Sequence, residues 1–216
     1  MTTYVVGIAG PSCSGKSLIA ERLAYIYSQH RPCLLCIDAY YHDLSELQPL
    51  EREQRNYDTP DAIDSELLRT QLTALLAGRE IEKPVYDFRT HTRLPVTERI
   101  GPTNLILIEG LFVLYWEQVR RLLNTGIFVS LSPDLALSRR LQRDVNERGR
   151  NPESVMAQYE STVKPMNSRY VLPSAAHADI IINGAQPIAE SIALAKRPID
   201  AHFNAIGGML ARHEFD

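Results

Sequence analysis

The sequence lacks the features that mark several large classes of protein. Its 216 residues include three cysteines, an odd number that argues against a disulfide framework. No apolar run approaches the roughly 18 residues that a membrane-spanning helix requires. The net charge of −3 gives no general electrostatic basis for binding polyanions or an acidic surface. We therefore expect neither nucleic-acid nor membrane partners.

The first residues also lack the pattern of a secretory leader. Residues 1–10 contain neither a basic segment nor a long apolar segment, so we expect a cytoplasmic protein. Cys33 and Cys36 form a C-x-x-C pair within an apolar stretch, and no second pair completes a zinc site. We interpret both as core thiols rather than as metal ligands or a redox pair.

The sequence does contain short apolar runs that alternate with helical patterns. The apolar runs predict strands at residues 4–9, 32–37, 104–108, 126–131 and 178–182. Apolar periodicity and capping residues predict helices at 16–29, 61–77, 132–147 and 152–163. This order predicts a three-layer α/β fold with a mainly parallel five-stranded sheet. Residues 80–99 follow neither pattern clearly, and we interpret them as a hairpin-like insertion.

A phosphate-binding motif follows the first predicted strand. Gly10–Ser17 reads GPSCSGKS, which matches G-x-x-x-x-G-K-S between a strand and a helix. In such a loop, backbone N–H groups surround phosphate oxygens, the lysine reaches the terminal phosphates, and the final hydroxyl binds Mg²⁺. The predicted nucleotide-binding residues here are Gly10, Pro11, Ser12, Cys13, Ser14, Gly15, Lys16 and Ser17.

Two acidic residues end later strands, at the edge of the sheet where ligands bind. Glu109 could be a solvated charge, but beside a phosphate-binding loop a role at the metal is favoured. Asp38 would lie near the γ-phosphate, where it could take the proton of an acceptor hydroxyl. An aspartate in this position could equally cap a turn. Position alone leaves both interpretations of Asp38 open.

Basic residues cluster late in the sequence, at Arg139, Arg140, Arg143, Arg148 and Arg150. Arg148 and Arg150 flank Gly149 between two predicted helices, where a glycine permits motion. Mobile arginines that close over phosphates assist phosphoryl transfer, so we interpret residues 144–158 as a lid rather than as a solvated surface. Arg139, in contrast, is interpreted as part of a solvated helix face.

Taken in order, these motifs resemble the uridine–cytidine kinase family of the P-loop NTPase superfamily. The matching segments are GIAGPSCSGKS, IDAYYHDL, NYDTPDAID, YDFRTHTR, ILIEG, RRLQRDVNERGR, QY…VKP and ADIII, from Val6 to about Ile182. The resemblance implies one P-loop kinase domain over residues 1–216. It implies transfer of the γ-phosphoryl group of ATP or GTP, with Mg²⁺, to the 5′-hydroxyl of uridine or cytidine. It also implies a small-molecule nucleoside as partner and a homo-oligomer, often a homotetramer in this family.

The resemblance implies roles for individual residues. Asp38 corresponds to the general base, and the catalytic groups would be Asp38, Lys16 and Arg148. Arg143 and Arg148 correspond to arginines on the phosphate side. The metal site would use Ser17, Asp38 and Glu109. The nucleoside would be bound by Asp38, Tyr41, Asp58, Tyr86, His91, Arg140, Arg150 and Gln158.

The sequence departs from the family pattern at several positions. Thr59 replaces a usual histidine, Ala39 a usual serine and Ser130 a usual acid, while an arginine is usual near Ala136. No proposed catalytic group is lost, so these departures concern substrate preference and the support of the site.

Three other functions are alternatives to that of a pyrimidine nucleoside kinase. Kinases of another small alcohol, phosphoribulokinase-like or pantothenate kinase-like, share the P-loop and the acid but not YDFRTHTR together with NERGR. A P-loop GTPase switch would need N-K-x-D and D-x-x-G, which the sequence lacks. A non-catalytic nucleotide-binding protein would not need the intact set Lys16, Ser17, Asp38 and Glu109.

Overall fold

The computed structural model describes the backbone of residues 3–213 and the side chains of residues 3–206. The described strands are β1 (Tyr4–Ala9), β2 (Cys33–Cys36), β3 (Ile81–Asp87), β4 (Thr92–Ile100), β5 (Leu105–Glu109), β6 (Thr125–Ser130) and β7 (Ile180–Asn183). Five of them form one sheet in the order β2-β5-β1-β6-β7, and every neighbouring pair is parallel. The predicted α/β fold with a five-stranded parallel sheet is confirmed.

Helices cover both faces of this sheet. The described α-helices are α1 (Lys16–Ile26), α2 (Pro49–Glu53), α3 (Ser65–Leu76), α4 (Glu117–Arg120), α5 (Pro133–Asn146), α6 (Pro152–Gln158), α7 (Lys164–Met166), α8 (Leu172–Ser174) and α9 (Ile188–His213). Two π-helical turns, Tyr159–Val163 and Asn167–Val171, join α6, α7 and α8 into one nearly continuous helical segment. Within the described part of the chain, no helix is long and apolar enough to cross a membrane.

The sheet separates two apolar cores. Alternate residues of β1 point to opposite faces, so Val5 and Ala9 enter one core while Val6 and Ile8 enter the other. The first core contains the buried leucines of α3 and residues of the β3–β4 hairpin. The second core is closed by α1 and α9. Because both faces are covered, β1 and β5 are buried along their whole length.

Residues 81–100 form the antiparallel β3–β4 hairpin, as the sequence indicated for residues 80–99. Its pairing register shifts between Pro84 and Tyr86. Pro84 has no N–H group to donate, which is consistent with an irregularity there. The hairpin is attached to α3, where the Gln71 side-chain amide donates to the Glu82 carbonyl oxygen at 2.8 Å.

Several element boundaries differ from the predictions. The helix predicted from residue 61 begins at Ser65, because the Asp64 side chain accepts the Leu67 N–H at 2.9 Å and caps the helix there. Residues 60–62 form a separate 3₁₀ turn. All three cysteines are free, and burial raises the pKa of the Cys33 thiol to about 11. Cys33 is a core thiol, as interpreted, whereas Cys36 is only partly buried.

Candidate active site

The loop between β1 and α1 has the backbone of a phosphate cradle. Gly10 has a φ of 150°, and a Cβ there would clash with the Val129 carbonyl oxygen. Cys13 has a positive φ of 62°. The Ser14 hydroxyl is buried and makes no hydrogen bond within the described residues. The Lys16 ammonium group donates back to the Pro11 carbonyl oxygen at 3.4 Å. This arrangement fits a bound phosphate chain.

Ser17 and Glu109 form a pair of oxygen ligands beside this loop. The parallel register places Glu109 opposite Ile8, so its buried carboxylate reaches the first turn of α1. The Ser17 hydroxyl donates to it at 3.1 Å. Oxygen ligands of this kind suit Mg²⁺. In the described residues no group of three His, Cys, Asp or Glu side chains forms a metal site.

Asp38 lies in the 3₁₀ turn Ile37–Tyr40 that follows β2. Its pKa is raised to about 6, chiefly because the protein shields the carboxylate from water. Lys16 and Arg148 oppose this rise, while the negative charges of Glu109 and Asp58 add to it. Lys16, Arg148 and Glu109, which were predicted for catalysis or metal binding, thus all act electrostatically on Asp38. No hydrogen bond to its side chain occurs within the described residues, so the turn-capping interpretation has no support.

Aromatic side chains form a wall beside Asp38. Tyr41 is buried and its hydroxyl donates to the Tyr57 carbonyl oxygen at 3.1 Å. The Tyr86 ring lies 5.1 Å from that of Tyr41, and the Tyr86 hydroxyl is buried without a hydrogen-bond partner in the described residues. His91 stacks on Tyr57 with ring centroids 4.4 Å apart. Burial lowers the pKa of His91, so its neutral form is favoured.

Asp58 connects this wall to the helical segment that follows α6. Thr162 donates its hydroxyl to the Asp58 carboxylate at 3.4 Å. Shielding from water raises the pKa of Asp58, and the charge of Arg140 opposes this rise. Thr59, which replaces the usual histidine, donates its hydroxyl to the Asn56 carbonyl oxygen at 3.3 Å. Thr59 therefore stabilises the local turn in this structure.

The basic residues of α5 and of the loop that follows it surround an acid that was not predicted from the sequence. Asp144 is fully buried, and four guanidinium groups lie within 4 Å of it. The nearest nitrogen–oxygen distances are Arg143 2.9 Å, Arg140 3.5 Å, Arg148 3.5 Å and Arg150 3.7 Å. Asp144 lies four residues from both Arg140 and Arg148, and residues at this spacing are neighbours on a helix. This spacing could have indicated the pairing from the sequence alone.

Gln158 extends the cluster to α6. Its side-chain oxygen accepts from Arg150 at 2.6 Å and from Arg140 at 3.2 Å. Arg140 also approaches the P-loop, since its guanidinium donates to the Ser12 hydroxyl at 3.4 Å. The structure therefore brings Arg140 to the phosphate cradle and links it to Arg150 through Gln158, while Arg148 remains about half exposed at 56%.

The interpretation of Arg139 as a solvated residue is wrong. Its guanidinium donates to the Cys13 carbonyl oxygen at 3.3 Å and to the Gly184 carbonyl oxygen at 3.0 Å. Arg139 lies on the face of α5 that packs beside the P-loop and the segment after β7. Only the three-dimensional arrangement of these elements reveals that contact.

Comparisons with known proteins agree with this geometry. Residues 5–188 match the model of the phosphoribulokinase / uridine kinase family. A uridine kinase of Chloroflexus aurantiacus is 42% identical over 200 residues, which cover 91% of this chain and 96% of that protein. A uridine kinase of Salmonella paratyphi B is 44% identical over 199 residues, covering 89% and 93%.

A solved structure shows the same fold at much lower identity. Phosphoribulokinase from Rhodobacter spheroides superimposes with a TM-score of 0.61 at 11% identity, covering 87% of this chain and 74% of that one. The P-loop, the acids at the strand ends and the extent of these matches lead to one conclusion: this chain belongs to the phosphoribulokinase / uridine kinase family.

Proposed function

We propose that this protein phosphorylates the 5′-hydroxyl of uridine, cytidine or both, with ATP or GTP as the phosphate donor. The observation that carries the proposal is the position of Asp38 at the end of β2, which pairs with β5 so that Cys36 lies opposite Glu109, and in the turn that leads directly to Tyr41 of the aromatic wall. The family relatives named uridine kinase support a nucleoside as the acceptor.

In this proposal Asp38 takes the proton of the acceptor hydroxyl. A carboxylate with a pKa near 6 is a better proton acceptor than an ordinary one and remains ionised at neutral pH. Lys16 and the N–H groups of the P-loop bind the donor phosphates, and Arg143 and Arg148 approach from the lid side. Ser17, Asp38 and Glu109 would hold Mg²⁺, which when bound neutralises charge on the phosphate oxygens.

The nucleoside is proposed to lie against the aromatic wall. Tyr41 and Tyr86 pack against the base, and neutral His91 can donate or accept at the pyrimidine 4-position, so it suits a keto or an amino group. Asp58 binds ribose hydroxyls. Arg140, Arg150 and Gln158 complete the substrate contacts from the lid. The proposal also includes the cytoplasmic location expected from the sequence and assembly into a homo-oligomer, which the family resemblance implies.

The experiment is a phosphorylation assay with purified protein across nucleosides and other small alcohols. Uridine, cytidine, pantothenate and ribulose 5-phosphate are each offered with ATP or GTP and Mg²⁺, and product is measured by mass spectrometry. We expect monophosphate from uridine or cytidine. Turnover of pantothenate or ribulose 5-phosphate without turnover of either nucleoside would contradict the proposal.

A further inference from the structure

Arg93, in strand β4, links the hairpin to the turn that carries Asp38. Its Nε donates to the Tyr41 carbonyl oxygen at 2.9 Å, and its Nη2 donates to the Tyr40 carbonyl oxygen at 3.2 Å. The same nitrogen pairs with the Asp64 carboxylate at 3.2 Å. The Arg93 backbone N–H donates to Asp43 at 3.2 Å. One side chain therefore contacts the carbonyl oxygens of the last residue of the Asp38 turn and of the residue after it.

The segment bound by Arg93 lies next to the proposed base and includes a residue of the acceptor pocket. Asp38 precedes Tyr40 by two residues, and Tyr41 itself belongs to the aromatic wall. The Tyr40 ring is fully buried, and its hydroxyl donates to the side-chain oxygen of Gln71 at 2.8 Å. This hydrogen bond ties the turn to α3. A displacement of the hairpin relative to this turn would move the acceptor pocket relative to Asp38.

Asp64 makes the link a connection among three elements. It caps α3 through its side chain, and its backbone N–H donates to the same Tyr40 carbonyl oxygen at 2.8 Å. The Arg93 and Asp64 side chains are 21% and 24% exposed, so their ion pair is shielded from solvent more than a surface pair. The hairpin, the catalytic turn and the start of α3 therefore meet at one guanidinium group.

We propose that Arg93 is a positioning residue that holds the nucleoside-binding hairpin at a fixed distance from Asp38. This inference rests on the proposed function, because it assumes an acceptor bound between the hairpin and Asp38. The rigid guanidinium fork contacts two carbonyls and a carboxylate through two nitrogens held in one plane, whereas a lysine would have to make these contacts from a single nitrogen on a flexible stem. Small misplacements of reacting groups reduce rates strongly, by about 100-fold for roughly 1 Å.

The test is Arg93→Gln, with Arg99→Gln as the matched control. Both remove one arginine from β4, but Arg99 forms an exposed ion pair with Glu80, away from the catalytic turn. For Arg93→Gln we expect kcat/KM for the nucleoside to fall about 10- to 100-fold. The KM for the donor should change less than about twofold, because the P-loop is untouched. Arg99→Gln should resemble the wild type.

Two further variants keep the test decisive if Arg93→Gln does not fold. Arg93→Lys should recover only part of the nucleoside kcat/KM. Asp64→Asn retains a capping acceptor for Leu67 but removes the charge that pairs with Arg93, so it should show a smaller loss with the same selectivity. Equal losses for nucleoside and donor, or wild-type kinetics in all Arg93 variants, would overturn the inference.

The two proposals fail in distinguishable ways. If wild-type protein phosphorylates a different alcohol, the nucleoside assignment is wrong, and the Arg93 variants are compared with that acceptor. If wild-type protein phosphorylates uridine or cytidine while the variants match Arg99→Gln, only the role of Arg93 is wrong.

Discussion

At the scale of single residues, Asp38 lies in surroundings that disfavour its charged form, although the proposed reaction requires that form. Shielding from water and two neighbouring carboxylates raise its pKa to about 6. The same surroundings make the carboxylate more basic and the folded protein less stable at neutral pH. Activity and stability should therefore respond in opposite directions when the charge is removed.

The first prediction concerns activity. Asp38→Asn keeps the size of the side chain but removes the proton acceptor, so kcat should fall at least about 100-fold. Donor affinity, measured by titration with a non-hydrolysable ATP analogue, should remain within about threefold of the wild type, because the P-loop contacts are retained. Retained kcat would remove Asp38 from the role of base.

The second prediction concerns the pH dependence of stability in metal-free buffer. The folded-state pKa of about 6 exceeds the usual 3.8, so the folded state of the wild type loses stability as pH rises through this interval. Asp38→Asn does not titrate. The free energy of unfolding of Asp38→Asn should exceed that of the wild type by an amount that grows between about pH 4 and pH 6. This difference should reach at most about 3 kcal/mol and then stay constant. Urea unfolding at several pH values measures this difference, and a constant difference would contradict it.

The third prediction concerns His91 in the aromatic wall. His91→Ala removes the ring that stacks on Tyr57 and the group proposed to contact the base. We expect the nucleoside KM to rise about tenfold, equivalent to about 1.4 kcal/mol, while the ATP KM stays within about twofold. His91→Asn is the matched variant, because asparagine tolerates the positive φ of 55° and keeps hydrogen-bonding groups. An equal rise in both KM values would exclude the base contact.

At the scale of elements, the connection between α5 and α6 depends on one buried charge. Asp144 neutralises part of a cluster of four arginines, and Gly149 turns the chain with a φ of 64°. The guanidinium groups would repel one another without the carboxylate. The arginines proposed to act on phosphates are thus held together before any ligand binds.

The fourth prediction tests this arrangement. Asp144→Asn should lower the free energy of unfolding by about 3 kcal/mol, because removing one partner leaves buried charge uncompensated. It should also lower kcat by at least about tenfold, since the arginines lose their common partner. Glu147→Gln, which changes an exposed acid one turn later, is the control and should behave as wild type. Thermal unfolding and steady-state kinetics on both variants decide between these outcomes.

The elements differed in how readily the sequence predicted them. The strands and the P-loop were predictable because continuous apolar runs and a fixed glycine spacing are local signals. Helix α9 was not predicted, and Pro198 within it is the residue that usually argues against a helix interior. The π-helical turns were also missed, because one extra residue per turn leaves no clear periodicity.

The site residues, like the elements, were predictable only where the sequence carries a local signal. Lys16 and Ser17 were predictable because they complete the P-loop motif, and Asp38 and Glu109 because each stands at the end of an apolar strand pattern. Asp144 had a local signal in its four-residue spacing from Arg140 and Arg148, but the roles of Arg139 and Arg93 depend on distances to residues far apart in sequence. Only the folded chain supplies those distances.

At the scale of the whole molecule, α9 closes the second core and is tied to α1. The Tyr27 hydroxyl, at the end of α1, donates to Asp200 at 2.5 Å, and Ile199 is completely buried. The fifth prediction is that Ile199→Ala lowers the free energy of unfolding by about 3 kcal/mol. Ile188→Ala, at a 40% exposed position of the same helix, should cost less than about 1 kcal/mol.

Urea unfolding measures both variants, and the kcat of the folded Ile199→Ala protein should remain close to that of the wild type. A large loss of kcat at temperatures where the variant is folded would mean that α9 affects the site directly rather than through stability.

The two cores on opposite faces of the sheet have a consequence for how this architecture can diversify. The aromatic wall, the Asp38 turn, the hairpin and α3 rest on one core, while α1 and α9 rest on the other. Mutations that reshape the acceptor pocket therefore disturb the packing of only one of the two cores. The core that supports the P-loop helix is left unchanged by such mutations. Evolution or design can therefore alter the acceptor without altering phosphate binding.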